Sequence, residues 1–418
     1  MTDPRRRAFL RSTAGAAGAL ALSTELDLAH GLLSAPAPFR AAQDFPVALA
    51  GCGRQGRAIL AELAKMENVR VVAVCDPVLT RRDSAKRRAR GSEAYPSLSE
   101  GLAKHPEVQA VVVATPSHLH REPAIEALEA GKHVYCEAPL ATTVEDGRAI
   151  VAAAAASDRV FTTGMLGRVN PIYNLAYKFW RTGSIREPAT LSAQYHKKTS
   201  LRVPSRSGQD DAALNWKLDP AVSLGLAGEF GTHQFDVFHW FLGEYPSAVR
   251  GSGRIALHDD GREMPDTEAV TLEFPSGLVL DYSSTLANSY NNDFELLAGT
   301  MGSIKLAWSW GWLFKEADAP TQGWEVYANR QQFHNEEGIT LIADATKLAA
   351  QDKLKDGVGL PEPPLYYGIE DFLNAATAGG DVTCTAAEGL RASIPAIEAR
   401  AAIASGERRV IDPTLYEV

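Results

Sequence analysis

From residue 45 onward, short unbroken apolar runs alternate with longer stretches in which apolar residues recur every three or four positions. The first pattern marks a strand buried on both faces, and the second a helix covered on one. The strands are PVALA (46–50), VRVVAVCD ending at Asp76, VQAVVVAT ending at Thr115, KHVYC (132–136) and RVFTTGML. Helical stretches such as RQGRAILAEL and EPAIEALEAG lie between them. This alternation predicts an α/β domain with a doubly wound parallel sheet, over 45–164. Ligands of such sheets bind at the carboxyl ends of the strands.

The pattern then changes. PATLSAQYH, EAVTLEF, GLVLDYSSTL, NDFELLAG and GSIKLAW read as strands of an α+β domain over 165–418, with a hairpin turn at Pro275-Ser276-Gly277. EFGTHQFDVFHWFLG has helical spacing. So does the last helix, about 385–405, which Gly406 stops and which is free to pack on either domain.

The 418 residues are too many for one ordinary core, so two domains are expected. With 45% hydrophobic and 22% charged residues the composition is that of a soluble globular protein. A net charge of −9 argues against a nucleic-acid partner. No apolar run reaches the roughly 18 residues of a membrane span. No Cys/His spacing suggests a metal site. Cys52, Cys75 and Cys136 fall at or just past strand ends and Cys384 far away, as expected of buried, reduced thiols.

Residues 1–44 read as an export signal and linker. Arg6-Arg7 precede Phe9-Leu10, with Arg11 next and a weakly apolar run at 14–22. This is the layout of a twin-arginine signal, and it predicts a periplasmic or extracytoplasmic location. Ala19-Leu20-Ala21 fits a cleavage pattern, as do later sites, and SAPAPFRAAQD reads as a flexible linker to about Asp44.

The first strand runs into Gly51-x-Gly53-x-x-Gly56 and then a helix, the context in which this motif binds a dinucleotide. Gly51 permits the tight turn, Gly53 the approach of a pyrophosphate, and Gly56 close helix packing. Arg54 and Gln55 sit inside the loop, where the helix N-terminus offers N–H groups to phosphate. Asp76, 25 residues after Gly51, is placed to meet a ribose 2′-hydroxyl. A carboxylate there favours NAD, while Arg81 and Arg82 keep NADP open. Thr115, Pro116, His118, His120 and Glu137 follow other strand ends and complete the expected cofactor site.

GCGRQG, VCDP, ATPSHLH, AGKHVYCEAPL, GRVNP and GEFGTHQFD together resemble the glucose–fructose oxidoreductase/inositol dehydrogenase (Gfo/Idh/MocA) family, across essentially the whole chain after the linker. The resemblance implies a bound nicotinamide nucleotide, a polyol or sugar substrate, and a second domain built on an open, mostly antiparallel sheet. The broad face of that sheet is the expected homo-oligomer interface. The family normally carries lysine between the glutamate and proline of EAP, beside the reacting hydroxyl. Here that residue is Ala138.

Glu229, His233 and Asp236 are spaced by four and three, on one side of a helix. A carboxylate near an imidazole orients it and raises its basicity, and histidine is the usual base near neutral pH. The resemblance implies that Glu229 binds substrate hydroxyls, where the family has aspartate, and that His233 takes part in proton transfer. It also places Arg168 and Asn170 at the nicotinamide or substrate. Lys197 and Lys198 end a strand, either solvated or with one turned into the cleft to replace the missing lysine, and Tyr195 precedes them. WSWGW (308–312) lines either the sheet or a sugar pocket. Three functions follow: an exported oxidoreductase acting on a carbohydrate hydroxyl with a tightly held cofactor, a redox-neutral glycoside hydrolase or lyase of the family 109 kind, and a non-catalytic sugar or nucleotide binder.

Overall fold

The structure is a computed structural model that describes residues 39–205, 208, 210–322, 325, 328–342 and 359–418. The export-signal segment up to residue 38 lies outside the described residues. Among the described residues no helix is long and apolar enough to cross a membrane.

The first sheet contains β1 (Arg40–Ala50), β2 (Glu67–Cys75), β3 (Glu93–Tyr95), β4 (Ala110–Val113), β5 (His133–Cys136) and β6 (Phe161–Thr163). Its order is β3-β2-β1-β4-β5-β6, and every pairing is parallel. The expected doubly wound sheet is therefore present. The chain leaves β1 toward β2 on one side and reaches β4 on the other. The crevice for a ligand opens at that reversal, beyond the ends of β1 and β4. Cys52, Cys75, Cys136 and Cys384 are all free and buried, as expected.

β1 begins at Arg40, so the linker does not extend to Asp44 as the polar run suggested. Arg40 pairs with Glu67, and Phe39 and Ala41 are buried. Their cover comes from the far end of the chain: the Phe39 N–H donates to Glu370 Oε1 at 3.1 Å. Glu370 lies on the helix Pro364–Ala378, whose Tyr366, Ile369, Phe372 and Leu373 join Val47, Leu49 and Ile59 in one core. This helix, from the second half of the chain, thus packs on the first domain.

The second sheet comprises β7 (Pro188–His196), β8 (Ala248–Arg254), β9 (Thr267–Glu273), β10 (Val279–Thr285), β11 (Asp293–Gly299), β12 (Gly302–Ala307), β13 (Trp310–Lys315), β14 (Arg330–Gln332), β15 (Glu337–Thr340) and β16 (Arg409–Val410). The order is β14-β15-β13-β12-β11-β7-β10-β9-β8-β16. Only β7 and β10 pair parallel, so this sheet is mostly antiparallel as expected. The helix Ala386–Ser405 ends at Gly406 in the left-handed conformation (φ 71°) and packs on both domains. A Cβ on Gly147 would come within 2.4 Å of its Leu390, and one on Gly251 within 2.5 Å of its Ile403.

Candidate active site

The glycine loop is shaped for a phosphate. Gly51 has φ +95°, and a Cβ there would lie 2.4 Å from the Ala114 carbonyl oxygen. A Cβ on Gly56 would lie 2.0 Å from the Gly51 carbonyl oxygen. Gly53 is different, with no atom within 4 Å of its Cβ position. The following helix, Arg54–Leu63, has no side-chain cap, so its first N–H groups face that open space. Asp76 holds the loop in place: one oxygen accepts from Cys52 N–H and the other from Val78 N–H, both at 2.8 Å. A carboxylate has further lone pairs for a ribose hydroxyl. Arg82 is tied to the carbonyls of Asp76 and Pro77.

Glu137 and His118 each carry a buried polar atom with no partner, Oε1 and Nδ1. Burial raises the Glu137 carboxyl to about 7, against the pull of Gln55 and of the Lys217 charge. The open face of Gly53, the uncapped helix and these orphaned atoms fit a dinucleotide. Gly51, Gly53, Arg54, Gln55, Gly56 and Asp76 would hold its adenosine and phosphate end, and Glu137 and His118 the nicotinamide end. His120 is not available for this. Its ring is buried, with Nε2 3.0 Å from the Thr115 carbonyl oxygen and Nδ1 3.1 Å from that of Leu140, so it clamps two loops together. Thr115 donates its hydroxyl to the Leu119 carbonyl, beside Pro116.

Opposite stands the second domain. The helix Gly225–Glu229 ends in Glu229, and after Phe230 a new helix, Gly231–Leu242, carries His233 and Asp236. The break separates what the spacing had aligned. Glu229 turns to the first domain: its Oε2 accepts from Ser117 Oγ at 2.8 Å and Lys217 Nζ at 2.9 Å, its Oε1 from Leu224 N–H at 3.2 Å. His233 Nδ1 is buried without a partner, and its ring meets Trp308 edge-on at 5.7 Å. Burial lowers the imidazole to about 4, Asp236 opposing and the Lys217 charge assisting. The expectation of a base made stronger by a neighbouring carboxylate is therefore reversed, because burial of the ring outweighs the pull of Asp236.

Three other expected substrate ligands are structural. Both Asp236 oxygens hold the Arg168 guanidinium, at 2.7–3.1 Å, and Arg168 also meets Glu388 at 3.0 Å. Asn170 is buried, accepting from Ile172 and Tyr173 N–H and donating to the Trp308 carbonyl at 2.7 Å. Tyr173 OH accepts from Trp308 N–H at 3.1 Å, so the two residues hold Trp308 at φ 52° against His233. Of WSWGW, Trp308 thus faces the site, while Trp310 and Trp312 stack on each other. Lys197 and Lys198 are exposed, and Tyr195 stacks on Phe230. The exposure of both lysines fits the solvated alternative.

Lys217, whose charge acts on Glu137, the neighbour of Ala138, was not singled out by the sequence, and neither was Ser117. Lys217 lies in a turn, Trp216–Leu218, anchored by Asn215, whose side chain bonds both N–H and C=O of Val203. Its ammonium sits 4.2 Å from the Trp216 ring centre and 5.2 Å from that of Phe230. The Trp216 ring meets His118 at 5.6 Å. Ala138 itself packs against Met165, Cys384 and Ala392.

A parallel domain shaped for a nucleotide thus faces a polar cluster carried by a turn and two helices of the second domain. Residues 45–165 match the family described as oxidoreductase family, NAD-binding Rossmann fold, and 183–408 its C-terminal alpha/beta domain. The chain belongs to the Gfo/Idh/MocA oxidoreductase family, and its first domain is an NAD-binding one. It is 30% identical over 259 residues to levoglucosan dehydrogenase of Pseudarthrobacter phenanthrenivorans (56% of this chain, 64% of that one). It is 31% identical over 256 residues to 2,7-anhydro-N-acetylneuraminate hydratase of Escherichia coli (59% and 64%). The match thus spans less than two thirds of either relative. In fold it is similar to a solved levoglucosan dehydrogenase in complex with NADH and levoglucosan, with TM-score 0.69 and 23% identity over 88% of this chain and 100% of that one.

Proposed function

We propose that the protein oxidises a hydroxyl of a sugar or sugar derivative, using NAD held tightly in the crevice. The observation that carries this reading is the meeting of second-domain Lys217 and first-domain Ser117 at Glu229, with the Lys217 charge acting on the unpartnered His233. Oxidising a carbinol to a ketone releases a hydride, for which NAD+ would be the acceptor when bound, and a hydroxyl proton, which needs a base. His233 is neutral at pH 7 and takes that proton. A positioned base contributes roughly 10²–10⁴-fold. Glu229 fixes Lys217 and offers its remaining lone pair to a second hydroxyl. Trp308 gives a sugar ring an apolar wall.

Arg6-Arg7 support export of the folded, loaded protein. Outside the cytoplasm free NAD is not expected, so a trapped cofactor must be regenerated within each cycle. The broad second sheet supports a homo-oligomer. A second reading is redox-neutral: the ketone acidifies a neighbouring C–H, a glycosidic or anhydro group leaves by elimination, water adds, and the ketone is reduced again. The similarity to a chain named as a hydratase favours it.

The test is to purify the protein gently, identify the nucleotide that accompanies it, and offer sugars and aryl glycosides in D₂O. Stable nucleotide reduction with ketone product supports the dehydrogenase. Deuterium beside the oxidised carbon with cleavage and no net reduction supports elimination. No nucleotide, and no thermal stabilisation by added NAD, overturns both. Replacing Arg6 and Arg7 by lysine should retain the precursor in the cytoplasm, and sedimentation gives the oligomeric state.

A further inference from the structure

We infer that Lys217 is a catalytic residue, the cation that faces the reacting hydroxyl in place of the lysine absent at Ala138. Resting on the oxidoreductase reading, this assigns the charge that reading otherwise lacks. The ammonium bridges a buried carboxylate and the open cleft: the Lys217 side chain is 32% exposed and that of Glu229 only 2%. An ammonium has three donors. Glu229 takes one, and the faces of Trp216 and Phe230 hold the group without saturating the others. Asn215 fixes the turn, so the ammonium is placed from the second domain and not from the loop after β5.

The groups around the Trp216-Lys217 turn are few. Glu229 and His233 come from the neighbouring helices, Glu137 and His118 from first-domain loops, and Asp219 from the turn's own end. The Lys217 charge reaches both His233 and the first-domain Glu137, each of which has a buried atom without a partner. In the reaction the C–H bond breaks and its electron pair leaves as hydride to bound NAD+. The O–H bond breaks, its proton passes to His233, and the C=O bond forms. Lys217 keeps its protons throughout. It donates a hydrogen bond to the oxygen, stabilising the alkoxide character that develops as the proton departs.

The experiment compares wild type with Lys217→Met, Lys217→Arg and, because a lone buried carboxylate endangers folding, Glu229→Gln alone and combined with Lys217→Met. The first readout needs no substrate: NMR titration of labelled His233. Loss of the Lys217 charge should move the His233 titration upward, in the single variant or between Glu229→Gln and the double. An unmoved titration places the ammonium elsewhere and overturns the inference. The second is turnover on the sugar found active. Lys217→Met should lose about 10²-fold or more in kcat and keep NAD affinity, and Lys217→Arg should recover part of the turnover. Lowered stability with unchanged kcat would show a structural ion pair only, and also overturns it. If wild type oxidises nothing, the oxidoreductase reading falls, while the His233 titration still decides where the charge lies.

Discussion

Ser117 and Glu229 meet across the domain boundary, the Ser117 hydroxyl donating to Glu229 Oε2 at 2.8 Å in a buried position. The same oxygen receives Lys217, so one carboxylate registers the nucleotide domain against the substrate side. Ser117→Ala should leave the fold intact at a cost of about 1 kcal/mol. It should raise KM several-fold more than it lowers kcat. Thermal melts and steady-state kinetics check this, and unchanged kinetics would refute a registering role.

The glycines make a sharper contrast. Gly53→Ala adds a methyl to open space, so the apo protein should melt as wild type does. Its stabilisation by NAD should fall, because the methyl occupies the approach of the pyrophosphate. Gly56→Ala meets the Gly51 carbonyl at 2.0 Å and should destabilise the apo protein itself. Melting curves with and without NAD distinguish the two.

His233→Ala should cost roughly 10²–10⁴-fold in turnover while NAD still binds. In wild type the neutral imidazole is the working form. With its value lowered to about 4, kcat/KM should hold across neutral pH and fall only as pH drops toward 4. A limb near 7 that vanishes in Glu137→Gln would instead assign the controlling proton to Glu137, whose carboxyl is raised to about 7.

Glu295 is fully buried, and burial raises it to about 8, with Tyr173 opposing and Asp293 adding. A carboxyl raised in the folded state holds its proton better there than when unfolded. Its contribution is complete below its ordinary range and disappears as pH climbs through about 8. Glu295→Gln should flatten the loss of stability between about pH 5 and 9, by up to about 4 kcal/mol at the alkaline end. Denaturation at several pH values measures the slope. Glu268, raised to about 7 by burial, leaves a residual one.

Ala138→Lys should not raise activity on the native substrate. The side chain at 138 packs against Met165, Cys384 and Ala392, so lysine crowds a close contact, typically at about 1–3 kcal/mol. A large gain in turnover would mark Ala138 as a defect.

Much of this was legible in the chain. PATLSAQYH is β7 from first to last residue, and the loop from Gly51 to Gly56 performs the steric tasks its spacing implied. What escaped notice depends on partners distant in sequence. β14 is Arg-Gln-Gln, exposed throughout, and is a strand only because β15 pairs with it. Phe39 looked like linker because its cover is supplied by residue 370. Glu229, His233 and Asp236 have the spacing of one helical face, but Phe230 divides them between two helices with separate partners. Lys217 belongs to no periodic pattern at all. A Trp-Lys pair in a polar turn carries no local sign of the carboxylate waiting in the next helix.

The helix Ala386–Ser405 has a mechanical consequence. Leu390 is seated at Gly147 of one domain and Ile403 at Gly251 of the other, so a single rod is riveted to both walls of the crevice. Such a crevice cannot gape like a jaw without pulling one rivet out of its socket.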